Sequence, residues 1–211
     1  IQAENMQAGI HQNQADSGTI KLWTTDGGDI ETGYLKAQGG SAPAVVVVAS
    51  GDLNIEGRPC VGAVQVRTNQ VPLSDRADAE ICLQALGDIG IKYGIEAHAH
   101  GRVESRADIH LHAGGDIDVD ARNGRILAWA HTPGEGSAEA LVTIHAEGEN
   151  ISIQRNGNSA PVRAWAHAHN NHADVSSWGQ DDAEQTDDTA HARIEIEANY
   201  QGDCPGCGDI D

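Results

Sequence analysis

Apolar and polar residues alternate along most of this chain with a period of two, the signature of extended strands with one face buried. In ADIHLHA at 107–113, Ile109, Leu111 and Ala113 share one face while His110 and His112 take the other. The same register recurs in AEICLQA, through Ile81, Leu83 and Ala85, and in ARIEIEA, through Ile194, Ile196 and Ala198. No helical periodicity is sustained, although residues 74–80 could form one helical turn.

The strands belong to a larger repeat. An alternating segment, a Gly-Asp pair and a second alternating segment recur as GGDIETG at 27–33, SGDLNIEG at 50–57, LGDIGIKYG at 86–94 and GGDIDVDA at 114–121. A variant, EGENISIQ, occupies 147–154, and the chain ends in CGDID. The first apolar residue after each pair is Ile30, Leu53, Ile89, Ile117, Ile151 and Ile210. A third strand follows in YGIEAHAHG, NGRILAWAH and APVRAWAHAH, with inward sets Ile95-Ala97-Ala99, Ile126-Ala128-Ala130 and Val162-Ala164-Ala166. This pattern predicts an all-β chain, a right-handed parallel β-helix of about six coils, each with three short strands. The spacing between coils varies from 23 residues (Ile30 to Leu53) to 59 (Ile151 to Ile210), so the extra residues fall in loops at the corners. One domain over 1–211 is expected, with a long acidic loop insertion at about 169–191, where the repeat breaks.

Composition supports a thin, repetitive interior. There is no Phe, a single Met and 25 Gly, so the core must be filled by Val, Ile, Leu and Ala. The segment ADIHLHAGGDIDVDARNGRILAWAH at 107–131 resembles the repeats of filamentous-haemagglutinin-like adhesins. That resemblance implies a right-handed β-helix, export to the cell surface and a role in adhesion or scaffolding. The net charge of −19 argues against nucleic acid and anionic membranes as partners. No apolar run is long enough to span a bilayer. A first residue other than Met points to a processed product, expected outside the cell.

Joining the two ends gives GDID-IQAENMQAG, which restores the repeat phrase with Ile1 in the position of Val119. The chain is then either one unit of a longer array or a subunit that stacks head to tail, because an open solenoid end leaves apolar rungs and strand edges exposed. Ile1, Ala3, Met6 and Ile210 are the junction candidates, packing with Ile10 near Ile194 and Ile196.

Several columns could carry chemistry. Asp29, Asp52, Asp88, Asp116 and Asp209 recur at the Gly-Asp corner, with Asn150 in the variant. Corner-forming hydrogen bonds are the preferred reading. Bridging Ca²⁺ between Asp116 and its neighbours Asp118 and Asp120 is the sharper one. On the third strand His98, Trp129 and Trp165 should stack, beside a second column of His100, His131 and His167. The imidazoles could take Zn²⁺ or Cu²⁺, and the tryptophans could form a sugar platform or a lateral contact. Of the four cysteines, Cys204 and Cys207 lie close enough for a local disulfide, and Cys60 and Cys82 could make another. No nucleophile triad, phosphate loop or dinucleotide fingerprint is present, so the chain is not read as an enzyme. The leading expectation is an extracellular structural or adhesive solenoid that associates end to end and contacts surface glycans or other cell-surface proteins. A carbohydrate-binding or carbohydrate-active β-helix is the alternative, and a metal-binding surface protein the third.

Overall fold

The computed structural model describes residues 1–9, 18–59, 62–68, 74–121, 125–148, 150–154, 161–169, 171–177, 182–187 and 189–198. None of these residues is helical. The strands come in successive tiers. The first tier holds β1 (Gln2–Gly9) and β2 (Thr19–Trp23), and the next β3 (Ile30–Gly39) and β4 (Ala44–Ala49). Three-strand tiers follow: β5 (Leu53–Ile55), β6 (Val64–Thr68) and β7 (Arg76–Ala85); then β8 (Ile89–Lys92), β9 (Ile95–His100) and β10 (Glu104–Ala113); then β11 (Ile117–Asp120), β12 (Ile126–Thr132) and β13 (Ser137–Ala146). The last strands are β14 (Ile151–Gln154), β15 (Val162–Ala168), β16 (Asn171–Ser177), β17 (Asp182–Asp187) and β18 (Ala190–Ala198).

Apart from β16 and β17, each strand pairs in parallel with its counterpart in the neighbouring tier, which builds three walls. The first wall runs β14-β11-β8-β5-β3 and the second β3-β6-β9-β12-β15, and the long strand β3 joins the two into one curled sheet. The third wall is the separate sheet β18-β13-β10-β7-β4-β2. The register stacks like on like. Leu53, Ile89, Ile117 and Ile151 form one inward column of the first wall. Ala97, Ala128 and Ala164 form one of the second, and Val45, Ile81, Ile109, Val142 and Ile194 one of the third. The seven residues Ile109, Leu111, Ile117, Val119, Ile126, Ala128 and Ala130, expected inward, are all buried. Alanine on one wall leaves room for the branched side chains of the other two, so a core without Phe still closes. Each fully buried Ile or Leu contributes about 1.5–3 kcal/mol.

Four sequence expectations need correction. The acidic stretch at 169–191 is not simply a loop. It contains β16, antiparallel to β15, and β17, antiparallel to β18. Ala173 and Val175 are buried on one side of β16 while His172 and Asp174 stay exposed, so its short alternation carries a rung. Secondly, these two strands occupy edges of β15 and β18 that the head-to-tail join through Ile194 and Ile196 would have used. Thirdly, the junction register is shifted by one alternation. Gln2 pairs with Glu31 and Ala3 with Thr32, which sets Ile1 against Ile30 and puts Ala3, not Ile1, in the column of Val119. Fourthly, alternation away from the core does not guarantee exposure. Leu127 on the second wall, and Cys82, Asp108, His110, His112, Thr143 and His145 on the outer side of the third, are buried.

Candidate functional site

The Gly-Asp corner is a hydrogen-bonded ladder. Oδ1 of Asp29 accepts from the backbone N–H of Asp52 at 2.9 Å, Asp52 from Asp88 at 2.9 Å, and Asp88 from Asp116 at 2.8 Å. Asp116 accepts both the backbone N–H and the side-chain amide of Asn150, each at 3.0 Å. The preceding glycines are required by the same contact. A Cβ on Gly51, Gly87, Gly115 or Gly148 would lie 2.0–2.3 Å from the carboxylate oxygen of the tier before. The aspartates are therefore committed to joining tiers. Asp118 pairs across tiers with Gly90 and Ser152, and Asp120 with Lys92 and Gln154, so neither meets a second carboxylate at its paired positions. The arrangement supports the corner reading over bridging Ca²⁺.

The second wall carries an aromatic ladder on its outer side. β9, β12 and β15 pair His98 with Trp129 and Trp165 in one column, and His100 with His131 and His167 in the next. The indoles stack with centroids 5.3 Å apart and planes at 6°. His98 tilts against Trp129 at 5.6 Å, so the tryptophans turn faces toward neighbours along the axis. A sugar platform needs an open face, which this packing does not favour. In the imidazole column, His100 and His131 are 4.6 Å apart, and His131 and His167 5.1 Å. His131 Nδ1 and His100 Nε2 share a hydrogen bond of 3.1 Å. Burial depresses the pKa of His100, and burial together with the adjoining imidazoles depresses that of His131. At the foot of the ladder, the hydrogen bond from His98 and the charge of Arg67 overcome burial and hold Glu96 at about 2. These histidines follow one another along three tiers and do not converge on one point, although each residue is half-buried and its outer edge reaches solvent.

Sequence reasoning missed a second group, on the outer side of the third wall. His110, Thr143 and Glu195 share one column, and His112, His145 and Glu197 the next. His145 is 1% exposed, and its Nε2 lies 3.0 Å from Glu195 Oε1. His112 Nε2 lies 3.6 Å from Glu147. Burial, Arg106 and His145 push His110 down to about 4, while burial lifts Asp108 to about 6 against the pull of Arg106. The signal was available: ADIHLHA, ALVTIHA and ARIEIEA align without a gap, and the alignment places His112, His145 and Glu197 in line. Of the remaining candidates, Cys82 is buried in this wall. Cys60, Cys204, Cys207 and Ile210 lie outside the described residues, and so do the expected disulfide pairings. Ile1 is exposed, and its ammonium donates to the Asp29 carbonyl at 2.7 Å.

Compared with protein-family models, curated proteins and solved structures, the chain matches none.

Proposed function

We propose that the chain is an extracellular structural or adhesive β-solenoid whose tiers wind as a right-handed β-helix of about six coils. The aromatic ladder of the second wall is its lateral contact face. The observation that supports this reading is the stacked pair Trp129–Trp165, flanked by His98, His100, His131 and His167 and held half-buried on an otherwise regular wall. Aromatic residues are enriched where proteins meet. Here the backbone ladder makes the ring column rigid, so a partner would dock without having to order it. The partners that suit such a face are other cell-surface proteins or a neighbouring fibre. The similarity to filamentous-haemagglutinin-like repeats points the same way. Surface glycans are the second reading, resting on the same tryptophans but weakened by their mutual stacking.

Binding of purified protein to cells and to a glycan panel, with Trp fluorescence as the readout, tests the proposal. Cell binding that is lost in Trp129→Ala/Trp165→Ala, with no response to free glycans, is the expected result. Cell binding unchanged in the double variant would remove the ladder from the contact, and a saturable glycan response would favour the carbohydrate reading.

A further inference from the structure

We propose that the outer face of the third wall, where β13 meets β18, binds a divalent transition cation of the zinc type through His145, Glu195 and Glu197. Among the described residues these three bring one ligand atom each within 4.8 Å of one another. The parallel register produces the convergence. Glu197 stands beside His145 in one column, and Glu195 stands two residues earlier on the same strand, beside Thr143. Glu195 is already turned toward the imidazole, with Oε1 3.0 Å from Nε2. Its other oxygen lies 2.7 Å from Arg193, which holds the carboxylate in that orientation.

The donor set selects the cation. One imidazole nitrogen and two carboxylate oxygens suit Zn²⁺ and its neighbours, whereas Ca²⁺ and Mg²⁺ favour oxygen alone. Three protein ligands leave a fourth position for water or a partner's side chain. Burial differs across the group in a useful way. His145 is buried, Glu195 half-buried and Glu197 exposed, so the nitrogen is preorganised while an ion can enter from the Glu197 side. Bond lengths of about 2.0–2.2 Å require ligand atoms roughly 3.3 Å apart. The carboxylates must therefore close by up to about 1.5 Å, which side-chain rotation supplies. The same wall carries a further buried imidazole. His110, in the Thr143–Glu195 column, is 6% exposed, and its Nδ1 has no hydrogen-bond partner among the described residues.

The test is titration of the full chain with Co²⁺, followed by absorbance and metal analysis, with Zn²⁺ as competitor. One Co²⁺ per chain, visible d–d bands without a thiolate charge-transfer band, and displacement by Zn²⁺ are expected. Glu197→Gln, at the exposed ligand, should weaken binding by about 10–100-fold while leaving the metal-free melting temperature unchanged, and Glu195→Gln should weaken it as well but also lower that temperature, because its carboxylate partners the buried His145 and Arg193. His145→Gln is less decisive because the residue is buried. Absence of saturable binding, affinity retained in the double Glu→Gln variant, a thiolate band that places the ion on cysteines, or loss of binding on His131→Ala would each overturn the assignment.

Discussion

At the residue scale, the Gly-Asp pair is a contact between tiers written in two letters. The aspartate supplies an acceptor for the next tier's N–H, and the glycine clears the space that acceptor needs. Gly115→Ala should therefore cost about 1–2 kcal/mol, measured by thermal or chemical melting. In an Asp88→Ala background the same change should cost distinctly less, because the clash and the bond vanish together. Equal costs in both backgrounds would show that the glycine is needed for another reason. Ile117→Asp, at a buried position of the first wall, should cost at least about 4 kcal/mol by placing an unpaired charge in the core. Burial also sets the response to pH. The unfolded chain protonates its histidines from 6.5 downward, but His110 resists to about 4, and His100, His112 and His131 are depressed as well. Stability is fully present above 6.5 and falls as pH drops toward 4. Asp108 opposes this below about 6, since its native form keeps a proton that the unfolded chain releases near 3.8. The melting temperature should thus fall between pH 7 and 6. His110→Gln should reduce proton uptake on unfolding by about one between 6.5 and 4. An unchanged pH slope in that variant would refute the assignment.

At the scale of elements, the period-two alternation was enough to read the repeating parallel strands, their inward residues and their stacking partners. The columns His98/Trp129/Trp165 and His100/His131/His167 were legible because their segments share a motif and a register. Mutual packing of the two indoles follows from that register, and a double-mutant cycle between Trp129→Ala and Trp165→Ala should return a coupling of about 0.5–1.5 kcal/mol. No coupling would mean that the rings do not stack in solution. What alternation could not convey is what lies against an outward face. His110 and His112 stand on the strand face opposite the core residues and are buried all the same, as are Asp108 and His145, because burial on that side depends on the rest of the chain and not on the strand's own period. The strands β16 and β17 were hidden for a related reason. Their sequences are acidic and short, and their antiparallel pairing breaks the repeat that revealed the others.

For the whole molecule, the parallel stacking recovered the expected like-on-like order, but the two ends differ more than the repeat suggested. Among the described residues β1 pairs only with β3, β2 only with β4 and β14 only with β11, whereas β15 and β18 each gain an antiparallel neighbour. End-to-end association, if the chain uses it, would run through β1 and β14. Sedimentation at rising salt should then show oligomers that Ile1→Lys/Ala3→Pro removes, since screening relieves the −19 charge. A monomer under every condition would count against end-to-end association.

The aspartate ladder also has a direction. Every carboxylate belongs to the earlier tier, and every N–H it receives belongs to the later one, from Asp29 through to Asn150. A chain emerging N-terminus first from a ribosome thus meets at each tier a prepared acceptor and an open strand edge. Each tier can bond to the one before it without waiting for the remainder. Synthesis order and bonding order coincide, so the molecule can fold as a ratchet that advances one tier at a time.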